Sequence, residues 1–275
     1  MMRSLWTGAS GMQAQQLAVD TIANNMANVN TTGFNRERIE FQSLLYQTIQ
    51  SAGHNPAVVG NRPAALQVGH GVRAVATTRT FEMGNLETTG RNLDVSIQGR
   101  GFFVVDRGSD HGIAYTRDGA FNLSPIGGGQ LALVNSEGLF ILDTAGNPIV
   151  FADNLDLDTL AITQEGNFSV RGDEGQTIDL GMQLALIQFS NRQGLEKLGG
   201  NLFVETPASG APMQESVAGE VGQRSILRQG TLERSNVHIA QEMVDLIVSQ
   251  RAFEMNSRVI QTSDEMLQQA NQLRR

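Results

Sequence analysis

Asn236-Val237-His238-Ile239-Ala240-Gln241-Glu242-Met243-Val244-Asp245-Leu246-Ile247 opens a stretch that runs to Leu273 without Pro or Gly and reads as one long helix. Ile239, Leu246, Phe253, Ile260 and Leu267 recur at every seventh residue. Val248, Ala252, Met255, Val259, Thr262, Met266, Ala270 and Leu273 follow steps of three and four. At about 3.5 residues per turn the two stripes lie roughly 130° apart around the helix, so a single partner helix covers only one. The stretch spans about 57 Å at about 1.5 Å per residue, more than the core of a domain this small needs. The second stripe is expected to face other molecules.

The rest of the chain bounds that reading. Its 275 residues contain no cysteine, so neither disulfides nor thiolate metal sites form. Charged residues are 17% of the chain, below the usual share, which suggests that much of the surface is not free. A net charge of −8 argues against nucleic acid, which wants a basic face. Ser4 to Val19 is uncharged, but Gly8, Gly11, Gln13, Gln15 and Gln16 interrupt it, so neither a membrane span nor a cleavable leader fits.

Arg3 to Asn30 is the second helical stretch. Leu5, Met12, Val19 and Met26 occupy one heptad position, Ile22 and Val29 the other, where Gly8 and Gln15 leave the apolar seam incomplete. Its remaining face carries Asn, Gln, Thr, Ser and Ala, with Arg3 and Asp20 the only charges before Arg36. Such a face suits packing against neighbouring subunits, where an unpaired charge is costly to desolvate. Thr31, Thr32 and Gly33 end the helix, with the glycine free to turn left-handed.

A short apolar run from Phe41 to Ile49 leads into Ser51 to Gly71, rich in Gly, Pro, Asn and Ala. This segment reads either as a flexible linker or, because it carries Val58, Val59, Leu66 and Val68, as an extended arm docking on something.

The middle alternates with period two. Strands are expected at 72–81, 93–97, 102–105, 113–117, 130–134, 139–142, 148–151, 160–163, 167–170, 182–189 and 201–205, separated by turns such as Arg117-Asp118-Gly119 and Ala145-Gly146-Asn147. An extended piece from Ser225 to Glu233 precedes the last helix, with Ser235 or Asn236 as its N-cap. The fold class is therefore α+β: long terminal helices pairing as a coiled-coil-like layer, with an antiparallel all-β domain inserted. In residues, 1–46 and 231–275 form one discontinuous helical domain, 47–71 the arm and 72–230 the β domain.

Three segments resemble the flagellar rod and hook protein family. These are Ala23-Asn24-Asn25-Met26-Ala27-Asn28-Val29-Asn30-Thr31-Thr32-Gly33-Phe34, then Gly84-Asn85-Leu86 with Leu93 to Phe103, then Gly230 to Val237 with Glu242-Met243-Val244 and Gln250 to Glu254. Arg3-Ser4-Leu5-Trp6 and Phe41 to Thr48 look most like the members that build the distal part of the rod, and the length leaves no room for the outer domain of hook proteins. Asn35 stands where a basic residue is usual, and Gly127-Gly128-Gly129 replaces a tighter turn. The resemblance implies a subunit exported uncleaved through the flagellar type III apparatus, with terminal helices disordered until assembly. It implies stacking into a hollow helical tube that crosses the periplasm as a drive shaft. Its partners would be further copies, other rod proteins, the hook and the basal-body ring proteins, with no membrane insertion. The stretch from Tyr46 to Gly69 would brace neighbours and stiffen the tube. Leu5, Met12, Val19, Ile22, Met26, Val29, Val58, Val59, Leu66, Val68, Ile239, Leu246, Phe253, Val259, Ile260, Met266 and Leu267 are the expected subunit contacts.

An enzyme reading finds little. His54, His70, His111 and His238 are scattered, with no triad motif beside them. Gly69-His70-Gly71-Val72-Arg73-Ala74 half matches a dinucleotide fingerprint but enters a strand instead of a helix. Asp153, Asp156 and Asp158 lack the glycine and distal glutamate of a calcium loop, so a turn is expected there, and no cofactor or metal. A free β-domain adhesin would explain only the middle of the chain, and another rod subunit or hook-like axial protein of the same family is the nearer alternative.

Overall fold

A computed structural model describes residues 2–50, 64–108, 112–152, 159–171, 176–216 and 224–272. The chain divides into two units, one formed by Met1–Ala27, Glu37–Thr80 and His238–Arg275, the other by Asn28–Arg36 and Phe81–Val237. Val58, Val59, Asp153, Asp156 and Asp158 lie outside the described residues.

The first unit is built on helices α1 (Met2–Ala27) and α2 (Ile239–Gln272). Both lack proline, and α2 lacks glycine, so nothing breaks their backbone ladders. Strand Glu37–Ser43 runs antiparallel to Val72–Arg79, pairing Glu37 with Arg79 and Ser43 with Val72, and both strands touch α1. The flanks of the expected arm pair with each other, Tyr46–Gln50 with Leu66–Gly69. Sequence periodicity gave no strand at 37–43, 46–50 or 66–69, where any alternation, as in Ile39-Glu40-Phe41-Gln42 and Leu66-Gln67-Val68, lasts only three or four residues on mostly exposed strands.

The second unit is an antiparallel β domain, with most strands in a ten-stranded sheet. The path runs from Val150–Ala152 through Gln130–Val134, Phe140–Ile141, Phe102–Asp106, Ile113–Thr116 and Leu202–Val204 to Glu196–Gly199. A three-stranded sheet joins Leu160–Ile162, Asn167–Arg171 and Thr177–Gln183. The expected strand at 182–189 is two, Thr177–Gln183 and Leu186–Gln188, and Asn122–Gly127 is an unforeseen strand that pairs with Gln130–Val134. Gly127, Gly128 and Gly129 all have positive φ in the turn between that pair, the reason three glycines stand together. The core is aromatic and aliphatic: Phe103, Phe121, Phe151 and Phe168 are fully buried with Val95, Ile97, Leu133, Ile141, Ile149 and Leu227.

Both helix ends differ from expectation by about one turn. Helix α1 stops at Ala27, and Asn28 closes a turn by accepting from the Thr31 N–H and hydroxyl at 3.2 and 3.1 Å. Gly33 then has a φ of 65°, in the left-handed region, as expected. At the other end, neither Ser235 nor Asn236 caps α2, whose first bond runs from the Glu242 N–H to the His238 carbonyl. The Asn236 amide is occupied elsewhere, accepting from the Arg36 N–H at 2.7 Å and donating to the Glu82 carbonyl at 2.9 Å. Asn35 is buried, and its amide donates back to the Gly33 carbonyl, a contact that closes this loop on itself.

Candidate assembly surface on the paired helices

Helices α1 and α2 lie antiparallel, and the residues at their closest approach are small or polar. Ser4 and Ser263 share a hydrogen bond of 3.2 Å between hydroxyls. A Cβ on Gly11 would stand 2.7 Å from the Asn256 amide nitrogen, and one on Gly8 would stand 3.0 Å from Ile260. At the far end the Asn25 amide donates to the Glu242 carboxylate at 3.1 Å, both side chains fully buried. Asn25 also meets the backbone of Glu37, donating to its carbonyl at 2.8 Å and accepting from its N–H at 2.9 Å, as a strand neighbour would. Glycine and serine bring the helix axes close, and the buried carboxylate is tolerated because a donor meets it.

This seam has its own heptad, which the apolar pattern conceals. Ser4, Gly11, Ala18 and Asn25 are seven apart, as are Glu242, Ser249, Asn256 and Ser263. Ser249 and Ser263 are buried. Apolar residues of the seven-residue stripe flank this line, with Leu246, Ile260 and Leu267 half-buried, whereas Ile239 is 51% and Phe253 38% exposed. On α1, Leu5, Met12, Val19 and Met26 are half-buried and Ile22 is buried. Val19 and Phe253 line a groove of about 420 Å³ with Gln16, Gln250 and Glu254.

The second stripe of α2 faces outward. Val248, Met255, Val259 and Met266 are 61, 67, 44 and 48% exposed, beside exposed Met243, Val244 and Ile247. On α1 the indole of Trp6 is 75% exposed. On the strand pairs Phe41, Tyr46, Ile49 and Leu66 are exposed, and Val68 is half-buried. Val29 falls in the second unit, half-buried. A row of exposed Met, Val and Ile on one helix face is larger than the scattered apolar residues of an ordinary surface and marks a contact site.

In the second unit the family-like segments meet around one buried ion pair. The Glu233 carboxylate accepts from Arg117 Nε and Nη2 at 3.0 and 2.8 Å and from the Gly84 N–H at 3.1 Å. The Arg117 guanidinium also donates to the carbonyls of Ile97, Gly99 and Gly101, and the Gly33 N–H donates to the Glu233 carbonyl at 2.9 Å. Five N–H donors in a rigid fork are what such a ring of acceptors needs, which lysine does not offer. A Cβ on Gly84 would fall inside bonding distance of the Arg234 carbonyl oxygen, so glycine is required there. The sequence signalled Glu233 only as one letter of a motif and gave no sign of Arg117.

Among the described residues no group of three or more His, Asp and Glu side chains is placed to hold a metal ion, and no helix is long and apolar enough to cross a membrane.

Comparison with known proteins matches each part of this architecture. The family model described as Flagella basal body rod protein matches residues 5–35, the Flagellar hook protein FlgE/F/G D1 domain matches 96–176, and the Flagellar basal body rod FlgEFG protein C-terminal matches 228–273. The chain is 47% identical over 279 residues to the flagellar basal-body rod protein FlgG of Borreliella burgdorferi, covering both chains fully. It is 42% identical over 277 residues to that of Caulobacter vibrioides, with 99% of this chain and all of the relative covered. With that of Bacillus subtilis it shares 38% over 275 residues, again the full length of both.

Proposed function

The chain belongs to the flagellar basal-body rod protein family, and from that premise we propose that it builds the distal rod as a self-assembling tube, its terminal helices forming a coiled-coil-like layer. It is a structural rod subunit, not an enzyme. The observation that supports the tube is the outward apolar stripe of α2, Val248, Met255, Val259 and Met266, which α1 leaves uncovered. Burying one such side chain is worth about 1.5–3 kcal/mol, and a helical lattice repeats the gain at every subunit. In this reading Leu5, Met12, Val19, Ile22, Met26, Val29, Leu66, Val68, Ile239, Leu246, Phe253, Val259, Ile260, Met266 and Leu267 lie in or beside contacts between copies, as do Val58 and Val59 of the arm. Location in the basal body follows from the family. Passage across the periplasm, export without a cleaved leader, and contacts with the hook and ring proteins belong to the same proposal.

Electron microscopy of the purified chain at rising concentration tests it. Rods or short tubes are the expected result, because a heterologous contact that does not close on itself propagates. Particles that stay monomeric or form closed rings at every concentration overturn the proposal.

A further inference from the structure

The polar seam of the first unit repeats so regularly that most of it does not say how far along α1 the second helix should lie. Ser4 faces Ser263, Gly11 faces Asn256 and Asn25 faces Glu242, so the numbers of facing residues add to one constant value and Ala18 falls opposite Ser249. Sliding α2 by one heptad, about 10.5 Å, would bring Ser4 to Asn256 and Gly11 to Ser249, pairs as small and as hydrogen-bonding as the native ones. The apolar flank repeats too: Phe253 would replace Ile260 over Gly8, apolar for apolar. One pair has no substitute. The slide carries Glu242 from Asn25 to Ala18, where a methyl group meets a carboxylate that in the native seam is 0% exposed.

We infer that the buried hydrogen bond from Asn25 to Glu242 is the register lock of the helix pair, the contact that selects one alignment of α1 and α2 among alignments of otherwise similar quality. Asn25 is suited to the task because its amide is itself held, by the two bonds to the backbone of Glu37 at 2.8 and 2.9 Å, and cannot follow a sliding partner. A polar group at a single seam position is an established way for helix pairs to specify register at some expense in stability. The lock acts by positioning. It rests on the assembly reading for its consequence, since only subunits of one register present identical faces to a lattice.

Crosslinking tests it, since the chain has no cysteine of its own. With the serine hydroxyls 3.2 Å apart, Ser4→Cys with Ser263→Cys reports the native register. Ser4→Cys with Asn256→Cys reports the register one heptad out. Both pairs are oxidised in the full chain in cell extracts, so that loss of rods does not hide the result. With Glu242 present, the 4–263 bond should form and the 4–256 bond should not. Glu242→Leu, which makes the slipped pair with Ala18 apolar, should raise the 4–256 yield roughly tenfold or more at the expense of 4–263, the scale on which an unpaired buried carboxylate penalises a wrong alignment. Glu242→Gln keeps an oxygen for the Asn25 amide and should restore the native bond. A Leu variant that still gives only 4–263 overturns the inference. So does one that gives neither bond, because the contact would then hold the pair together without choosing its register. Rods absent from the parent cysteine chains while 4–263 forms would instead tell against the assembly reading alone.

Discussion

The two units of this chain are organised on opposite plans. The second buries Phe102, Phe103, Phe121, Phe151 and Phe168 completely, and the polar groups inside it, such as the Arg117–Glu233 pair, sit around that large apolar core. In the first, Ala14 and Ile22 are the only buried apolar side chains among the described residues, while Glu242, Asn25, Ser249 and Ser263 are inside and Met, Val, Ile and Trp are outside. Hydrophobic burial is what offsets the entropy of folding. The second unit has what an independent domain needs, and the first has what a domain completed by neighbours needs.

The strongest way to break that comparison is a charge on the seven-residue stripe. Phe253→Asp is expected to abolish rods and swimming altogether, because every subunit of the lattice would carry an unpaired carboxylate in an apolar contact. The β-sheet circular dichroism signal of the purified variant should be unchanged. Normal motility would show that the stripe is not a contact, and loss of the sheet signal would show that the units are not separable in this way.

Protease asks the same question of the unaltered chain. A helix pair that buries small and polar residues gains little on its own, so in isolated subunits roughly the first 40 and last 40 residues should be removed well before the β domain is cut. Cleavage through residues 81–237 at the same rate would erase the contrast. In assembled rods the ends should become resistant.

A third test strikes the buried ion pair inside the second unit. Arg117→Met leaves the Glu233 carboxylate buried beside the Gly84 N–H alone among its present donors, and should lower the stability of the β domain by about 3–5 kcal/mol. Adding Glu233→Leu removes the stranded charge and should recover part of the loss. A double variant no better than the single would mean that Arg117 acts through the carbonyls of Ile97, Gly99 and Gly101 and not through the ion pair. Chemical denaturation followed at the sheet signal measures both.

The difference between the units also governs what could be read from the sequence. Strands buried on both faces, such as 102–106 and 130–134, run apolar and were foreseen within a residue or so. Strands at 37–43, 46–50 and 66–69 were not, since these mostly exposed pairs leave at most three or four residues of alternation in the sequence. Both helices were legible from apolar periodicity and the lack of proline, although Asn236 looked like a cap because nothing local reveals its bonds to Arg36 and Glu82. The exposed second stripe was anticipated. The seam beside it was not, since Ser4, Gly11, Ala18 and Asn25, or Glu242, Ser249, Asn256 and Ser263, carry no hydrophobic signal for periodicity to find. Arg117 was invisible for a related reason: its four acceptors come from two distant segments, 97–101 and Glu233.

The smallest effect expected concerns Asp118, and its sign follows from burial. Its carboxylate accepts from the Thr32 hydroxyl at 2.8 Å and the Ala120 N–H at 3.1 Å. Burial nevertheless raises its pKa above the ordinary value, helped by the charge of Asp94 and opposed by those two hydrogen bonds. A carboxyl whose folded pKa is raised binds its proton more tightly in the native state than in the unfolded one. No stability is lost below the unfolded value near about 4. As pH rises from there through the folded pKa, the native state loses stability relative to the unfolded, and above the folded pKa the loss is constant. In Asp118→Asn the amide oxygen can take both hydrogen bonds with no charge to desolvate. The variant should therefore gain on the parent as pH rises from the acid side, its melting temperature drawing ahead until the parent's carboxyl has ionised and the gap levels off. Comparing the two across pH cancels the titration of every group not coupled to Asp118. A gap that narrows on going from acid to neutral pH would mean that the charge on Asp118 strengthens its bonds to Thr32 and Ala120 by more than burial costs.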